Sequence, residues 1–130
     1  MTDITFLGEP EPGSPRPFSA ATVASGMVFV SGHSAPHDPA RDIYRGDTPA
    51  EEVRNALGRI AEILGDAGSS LDRVVQMTML ITDPADYAAC NAEYVKHFPN
   101  GLPARHTARF GVPTEARVAF SCIALAGRGA

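Results

Sequence analysis

Two helix-start signals bracket one strand-like run, and that alternation constrains the chain more than any other feature of it. Thr48-Pro49-Ala50-Glu51 is a capping box with proline at the first helical position: the hydroxyl accepts an orphan backbone N–H and the carboxylate accepts another in return. Val53, Leu57, Ile60 and Leu64 then recur every three to four residues, and Gly65 and Gly68 suit the stop, so a helix is expected over about residues 49–66. The run 74–81, VVQMTMLI, is β-rich, with Val75, Met77, Met79 and Ile81 alternating onto one face. Asp83-Pro84 repeats the cap-then-proline signal, and Tyr87, Cys90, Asn91, Tyr94 and Phe98 trace one side of a second helix ending before Pro99. A helix between consecutive strands requires a crossover, so part of the sheet is expected to be parallel.

The flanks add antiparallel pieces. Ile4 to Leu7 reads as a short edge strand, and the segment 8–17, with Pro10, Pro12, Pro15 and Pro17, reads as a loop. Ala21 to Ala24 and Met27 to Ser31 flank Ser25-Gly26 as a hairpin. The stretch Gly32 to Gly46 has no periodicity and reads as a surface loop of functional length. Arg105 to Phe110 and Arg117 to Leu125 read as two closing strands. The expected class is α+β, a single domain over residues 1–130: a mixed sheet covered on one face by two helices. The other face, expected to carry Val75, Met77 and Met79, needs a cover that two helices cannot provide, which points to oligomerisation.

Composition narrows the function. Eleven basic against fifteen acidic residues give a net charge of -4, the wrong sign for tracking a phosphate backbone, so no nucleic-acid partner is expected. No apolar run approaches a membrane span and the first residues lack signal-peptide character, so a soluble, cytoplasmic protein is expected. Cys90 and Cys122 are too few for a disulfide scaffold and read as buried thiols. His33 and His37 are spaced four apart, but Pro36 and Pro39 oppose a helix there, so no metal site is expected. No phosphate-cradling glycine loop or dinucleotide fingerprint is present.

Several segments in order resemble the Rid family, the RidA/YjgF-type reactive intermediate deaminases, over roughly residues 15–126. They are Pro17-Phe18-Ser19, the stretch from Gly26 to Gly32 (GMVFVSG), Asn55-Ala56-Leu57, Asp66-Ala67-Gly68, and Leu71-Asp72-Arg73-Val74-Val75. Thr82-Asp83, Asn91-Ala92-Glu93-Tyr94, Phe98 and Pro103-Ala104-Arg105 complete the set. The resemblance implies a chorismate-mutase-like fold, a homotrimer with a ligand cleft at each subunit interface, no cofactor, and hydrolysis of enamine-derived imino acids to keto acids and ammonia. It also assigns roles. Arg105 matches the substrate-binding arginine, whose planar fork suits a carboxylate. Backbone groups at Ser31 and Gly32 match those that help hold it, the Thr107 carbonyl matches one that positions water, and Asn91 matches a helix asparagine that is either a buried amide or a pocket contact.

The chain departs from the deaminase pattern at three polar positions. The glutamate of the last strand falls on Ser121, which can hold a water but cannot act as a carboxylate base. The family tyrosine falls on Phe18, and the glutamine after Ser-Gly is His33, an imidazole that could shuttle a proton. Adjacent strand residues point to opposite faces, so His106 is expected not to share a pocket with Arg105. The expected activity is therefore deamination of a small carboxylate-bearing enamine or imine, with Arg105 and Ser121 as the catalytic pair and Ser31, Gly32, His33, Phe18, Asn91 and Thr107 contacting substrate. The alternative is a trimer that binds a keto acid without turnover.

Overall fold

A computed structural model describes residues 3–127. Strands β1 (Thr5–Leu7), β2 (Ala21–Ala24) and β3 (Met27–Ser34) are followed by a two-stranded ribbon, β4 (His37–Asp38) and β5 (Ile43–Tyr44). Then come α1 (Pro49–Asp66), β6 (Val74–Ile81), α2 (Tyr87–Tyr94), β7 (Ala104–Arg109) and β8 (Val118–Leu125). The main sheet has the order β1-β2-β3-β8-β6-β7, antiparallel except for the β6–β7 pair. The crossover through α2 is what makes that one pair parallel.

The capping box forms at Thr48, whose hydroxyl accepts from the Glu51 N–H at 3.2 Å, while the Glu51 carboxylate accepts from Asp47, one residue before the cap. Just upstream, Gly46 sits at φ +144°, and a Cβ there would lie 2.6 Å from the Glu52 nitrogen, so only glycine admits this entry into α1. Val53, Leu57, Ile60 and Leu64 are all fully buried against β3 and β8. The second helical region is broken into a 3₁₀ turn at Pro84–Asp86, α2 itself, and another 3₁₀ turn at Val95–His97. Among the described residues, no helix is long and apolar enough to cross a membrane.

Two expectations about the sheet need correction. Met77 and Met79 do not lie on the uncovered face: both are fully buried under the helices, with Val74 and Ile81, while Val75 is exposed. The cause is a bulge between Val74 and Gln76, which inserts Val75 as an extra residue and turns the strand's alternation by one. The segment after Gly32 is also not all loop. β3 continues to Ser34 beyond a second bulge, and His37–Asp38 pairs antiparallel with Ile43–Tyr44 as the β4–β5 ribbon.

A buried carboxylate ties the helices together. Glu93 of α2, 4% exposed, accepts from His97 at 2.9 Å and from Arg54 of α1 and Lys96 at 3.4 Å. Burial pushes its pKa up, but the bonds from His97, Arg54 and Lys96 outweigh it and bring the value from 4.5 down to about 2. A carboxylate depressed in the folded state contributes stability that is fully present above pH 4.5 and is lost as pH falls toward about 2. Urea unfolding of Glu93→Gln is therefore expected to lose less stability than the wild type over that window. Equal acid sensitivity in the two proteins would show that this cluster does not carry the effect.

Candidate functional site

Arg105 enters from the edge strand β7. Its register partner Met77 faces the helices, so the arginine side chain runs beneath α2. The guanidinium carbon lies 4.8 Å from the Tyr94 ring centroid and 5.9 Å from that of Tyr87, and Nη2 donates to the Tyr87 hydroxyl at 3.4 Å. Among the described residues no carboxylate comes within ion-pair distance of it. Aromatic faces attract a cation without neutralising it, so the fork is held in place and left with its charge uncompensated.

Around it is an open cavity of about 370 Å³ with a mostly apolar wall from Val95, Leu102 and Pro103. Asn91 lines it too, and its buried Oδ1 has no hydrogen-bond partner among the described residues. An orphan buried acceptor is costly unless a ligand or water answers it. This favours the pocket-contact reading of Asn91 over the satisfied-amide one. The Tyr94 hydroxyl is also unpartnered, but burial pushes its pKa up to about 12, with Arg105 opposing, so it stays protonated.

The remaining candidates lie elsewhere. Ser31 and Gly32 form the bulge in β3: Val30 pairs with Cys122 and His33 with Phe120, so the two bulge residues together oppose Ser121. Ser121 pairs on its other side with Thr78, and Thr78 pairs with His106. The uncovered face of the sheet thus carries a transverse polar row of Ser31, Ser121, Thr78 and His106. Cys122 alternates to the helix side, where burial pushes its thiol up to about 12 and leaves it inert.

Ser31 has no spare donor. Its N–H goes to the Ala20 carbonyl at 3.0 Å and its hydroxyl donates to the Ser19 carbonyl at 2.6 Å. Gly32 is different: a Cβ built there would meet nothing within 4 Å, so packing within the chain does not require glycine at that position. Phe18 is exposed beside this bulge and separates two grooves, one lined by Ser31 and the other by Gly32.

Within one chain these residues do not make one pocket. Arg105 and Thr107 lie on the helix side of β7, whereas Ser121 lies on the uncovered face with β6 between the two strands. His33 is likewise separated from Ser121. It pairs with Phe120 on the helix side, and its Nε2 donates to the Ala20 carbonyl at 3.2 Å. Burial lowers its pKa, the Ala20 bond opposes that, and Arg59 and Arg16 lower it further, so the ring is neutral at pH 7. The histidine that shares a face with Ser121 is His106. Alternation along β7 places it opposite Arg105, but its alignment with Ser121 depends on pairing across three strands, which no single segment encodes.

Comparison with known proteins bears on this arrangement. The family model described as endoribonuclease L-PSP matches residues 9–125. The mitochondrial protein mmf2 of Schizosaccharomyces pombe is 33% identical over 112 residues, covering 83% of this chain and 86% of its own length. Among solved structures, a YjgF-family protein from Neisseria meningitidis superposes with a TM-score of 0.81 at 28% identity, covering 98% of each chain. Yeast Mmf1 superposes at 0.79 and 26% identity, covering 95% of this chain and 98% of its own.

Proposed function

The chain belongs to the endoribonuclease L-PSP (YjgF/Rid) family, and from that premise we propose that it hydrolyses a small carboxylate-bearing imine or enamine at a site assembled from two copies of itself. The observation that carries this reading is Arg105: a guanidinium held against two aromatic rings, facing a cavity, with no carboxylate among the described residues to neutralise it. Such a group is a receptor for an external carboxylate.

The need for a second copy follows from topology. β3 and β7 are separated by β8 and β6, three strand spacings of about 4.8 Å or roughly 14 Å in all, more than a small acid can span. β7 is an edge strand, so a neighbouring copy can bring its Gly32 bulge against it. In a trimer, each Arg105 would then face the bulge of the next subunit. Arg105 holds the carboxylate, the Gly32 backbone approaches it closely, and the Thr107 carbonyl and Ser121 hydroxyl orient a water toward the imine carbon. Water adds to C=N to give a carbinolamine; the nitrogen takes a proton and the C–N bond breaks, releasing ammonia and a keto acid.

One observation favours a second reading, binding without turnover. The polar row on the uncovered face holds hydroxyls and an imidazole but no carboxylate base. The family description also raises ribonuclease activity; the net charge of -4 opposes it.

The deciding assay is ammonia and keto-acid release from iminopropionate, generated in place by an amino-acid oxidase. Turnover above the spontaneous rate is expected. Coexpressed Arg105→Ala and Gly32→Asp chains should recover part of the activity that each lacks alone, because mixed assemblies contain some intact sites. No turnover, together with keto-acid binding, would replace the deaminase reading with the binding one.

A further inference from the structure

A second cavity, of about 580 Å³, is larger than the one at Arg105. It lies between β3, α1 and the β4–β5 ribbon, on the far side of Phe18 from the groove at Ser31. Its walls include Arg16, Arg59, His33, His37 and Tyr44, with Glu62 as the acidic lining residue. Arg16 is preset there: its Nη2 donates to the Gly8 carbonyl at 2.7 Å, and its guanidinium carbon lies 5.6 Å from the Phe18 ring centroid. Arg59 projects from α1 and makes a long contact of 3.9 Å with Glu62, both partners being solvent-accessible, so that pair only weakly neutralises it. His37 is turned edge-on to Tyr44 and contacts Asp42 at 3.4 Å. The cavity therefore carries two guanidinium charges, of which that of Arg16 is held in place, against one loosely paired carboxylate.

Gly32 and Phe18 join this space to the proposed reaction site. Gly32 belongs to the bulge that would meet a neighbour's Arg105, and it also lines this cavity; Phe18 lines both this cavity and the Ser31 groove. A three-carbon imino acid anchored at Arg105 would leave such a volume unused. We propose that this cavity is a second anion subsite, and that the preferred ligand is a dicarboxylic imino or keto acid whose first carboxylate is held by Arg105 of one copy and whose distal carboxylate is received by Arg59 and Arg16 of the next. The inference rests on the two-copy site described above and names the substrate class that site selects.

The distal carboxylate is recognised by charge and by the planar fork of Arg59, which lysine or histidine would not reproduce. Glu62 works against it. Substitutions at these two helix-surface positions should therefore act in opposite directions, a pattern that general damage to the fold cannot produce.

The test is isothermal titration of the intact protein with pyruvate and with 2-oxoglutarate, alongside kcat/KM for the imines made in place from alanine and from glutamate. Wild type is expected to prefer the dicarboxylic ligand at least tenfold. Arg59→Gln should bring that preference to within about twofold, and Glu62→Gln should widen it severalfold. No preference in the wild type, or a preference that neither variant changes, overturns the subsite. Selective binding without turnover of either imine overturns the deaminase reading and leaves the subsite standing. Equal turnover and equal binding of the two ligands do the reverse, and failure of both keto acids to bind together with no turnover of either imine overturns both proposals.

Discussion

Replacing Arg105 with alanine is expected to weaken keto-acid binding about a hundredfold and to bring imine hydrolysis down to the spontaneous rate, with little change in unfolding midpoint. A bidentate charge-assisted contact with a carboxylate contributes about 3 kcal/mol when shielded from water, and each 1.4 kcal/mol is about tenfold in affinity. Folding should tolerate the change because Arg105 is only half-buried, makes no ion pair among the described residues, and adds to its contacts with the Tyr94 and Tyr87 rings just two long hydrogen bonds, to the Tyr87 hydroxyl and the Met79 sulfur. Arg105→Lys separates fork from charge: a lysine restores the charge but not the paired donors, so only partial rescue is expected. Titration calorimetry and thermal unfolding on the same samples check both halves. An unchanged affinity in Arg105→Ala would remove the arginine from the site.

Phe120→Ala is expected to cost about 3–5 kcal/mol of folding stability, the usual penalty for emptying a large aromatic position in a core. Phe120 is 1% exposed, stacks on Tyr94 at 5.9 Å between centroids, and sits on β8 between β3 and β6. Tyr94 in turn carries the Arg105 guanidinium on its ring. Denaturant unfolding should register the loss directly. Ligand titration of the folded fraction should show weaker binding as well, because the platform under Arg105 loses its support from the sheet. Phe120→Leu, which fills most of the volume, should restore most of both; a variant that loses stability yet binds normally would break the link between core and clamp.

How much of this was legible before the structure differs from element to element. α1 was readable to the residue, since its cap, its proline and its apolar spacing are all local and agree with one another. The parallel β6–β7 pair followed from the helix between those strands, and the helix-side position of Cys122 followed from alternation along β8. The face assignment of Met77 and Met79 did not survive, because one inserted residue at Val75 reverses every side chain that follows and a bulge leaves no mark in a β-rich run. The exhausted donors of Ser31 were hidden for a related reason: both acceptors, the carbonyls of Ser19 and Ala20, lie across a hairpin.

The sequence by itself determined the class of the fold and the family, and it singled out Arg105 as the expected carboxylate clamp, because caps, periodicity and the Pro103-Ala104-Arg105 segment are written in neighbouring residues. Only the tertiary structure decided which candidates can meet. It placed Arg105 under α2 at one edge of the sheet, Ser31, Ser121, Thr78 and His106 in a row on the uncovered face, and Arg16, Arg59 and His33 around a separate cavity. Those groupings depend on strand order and on two bulges, which are settled by pairing between segments far apart in the chain, and no local pattern of residues carries that information.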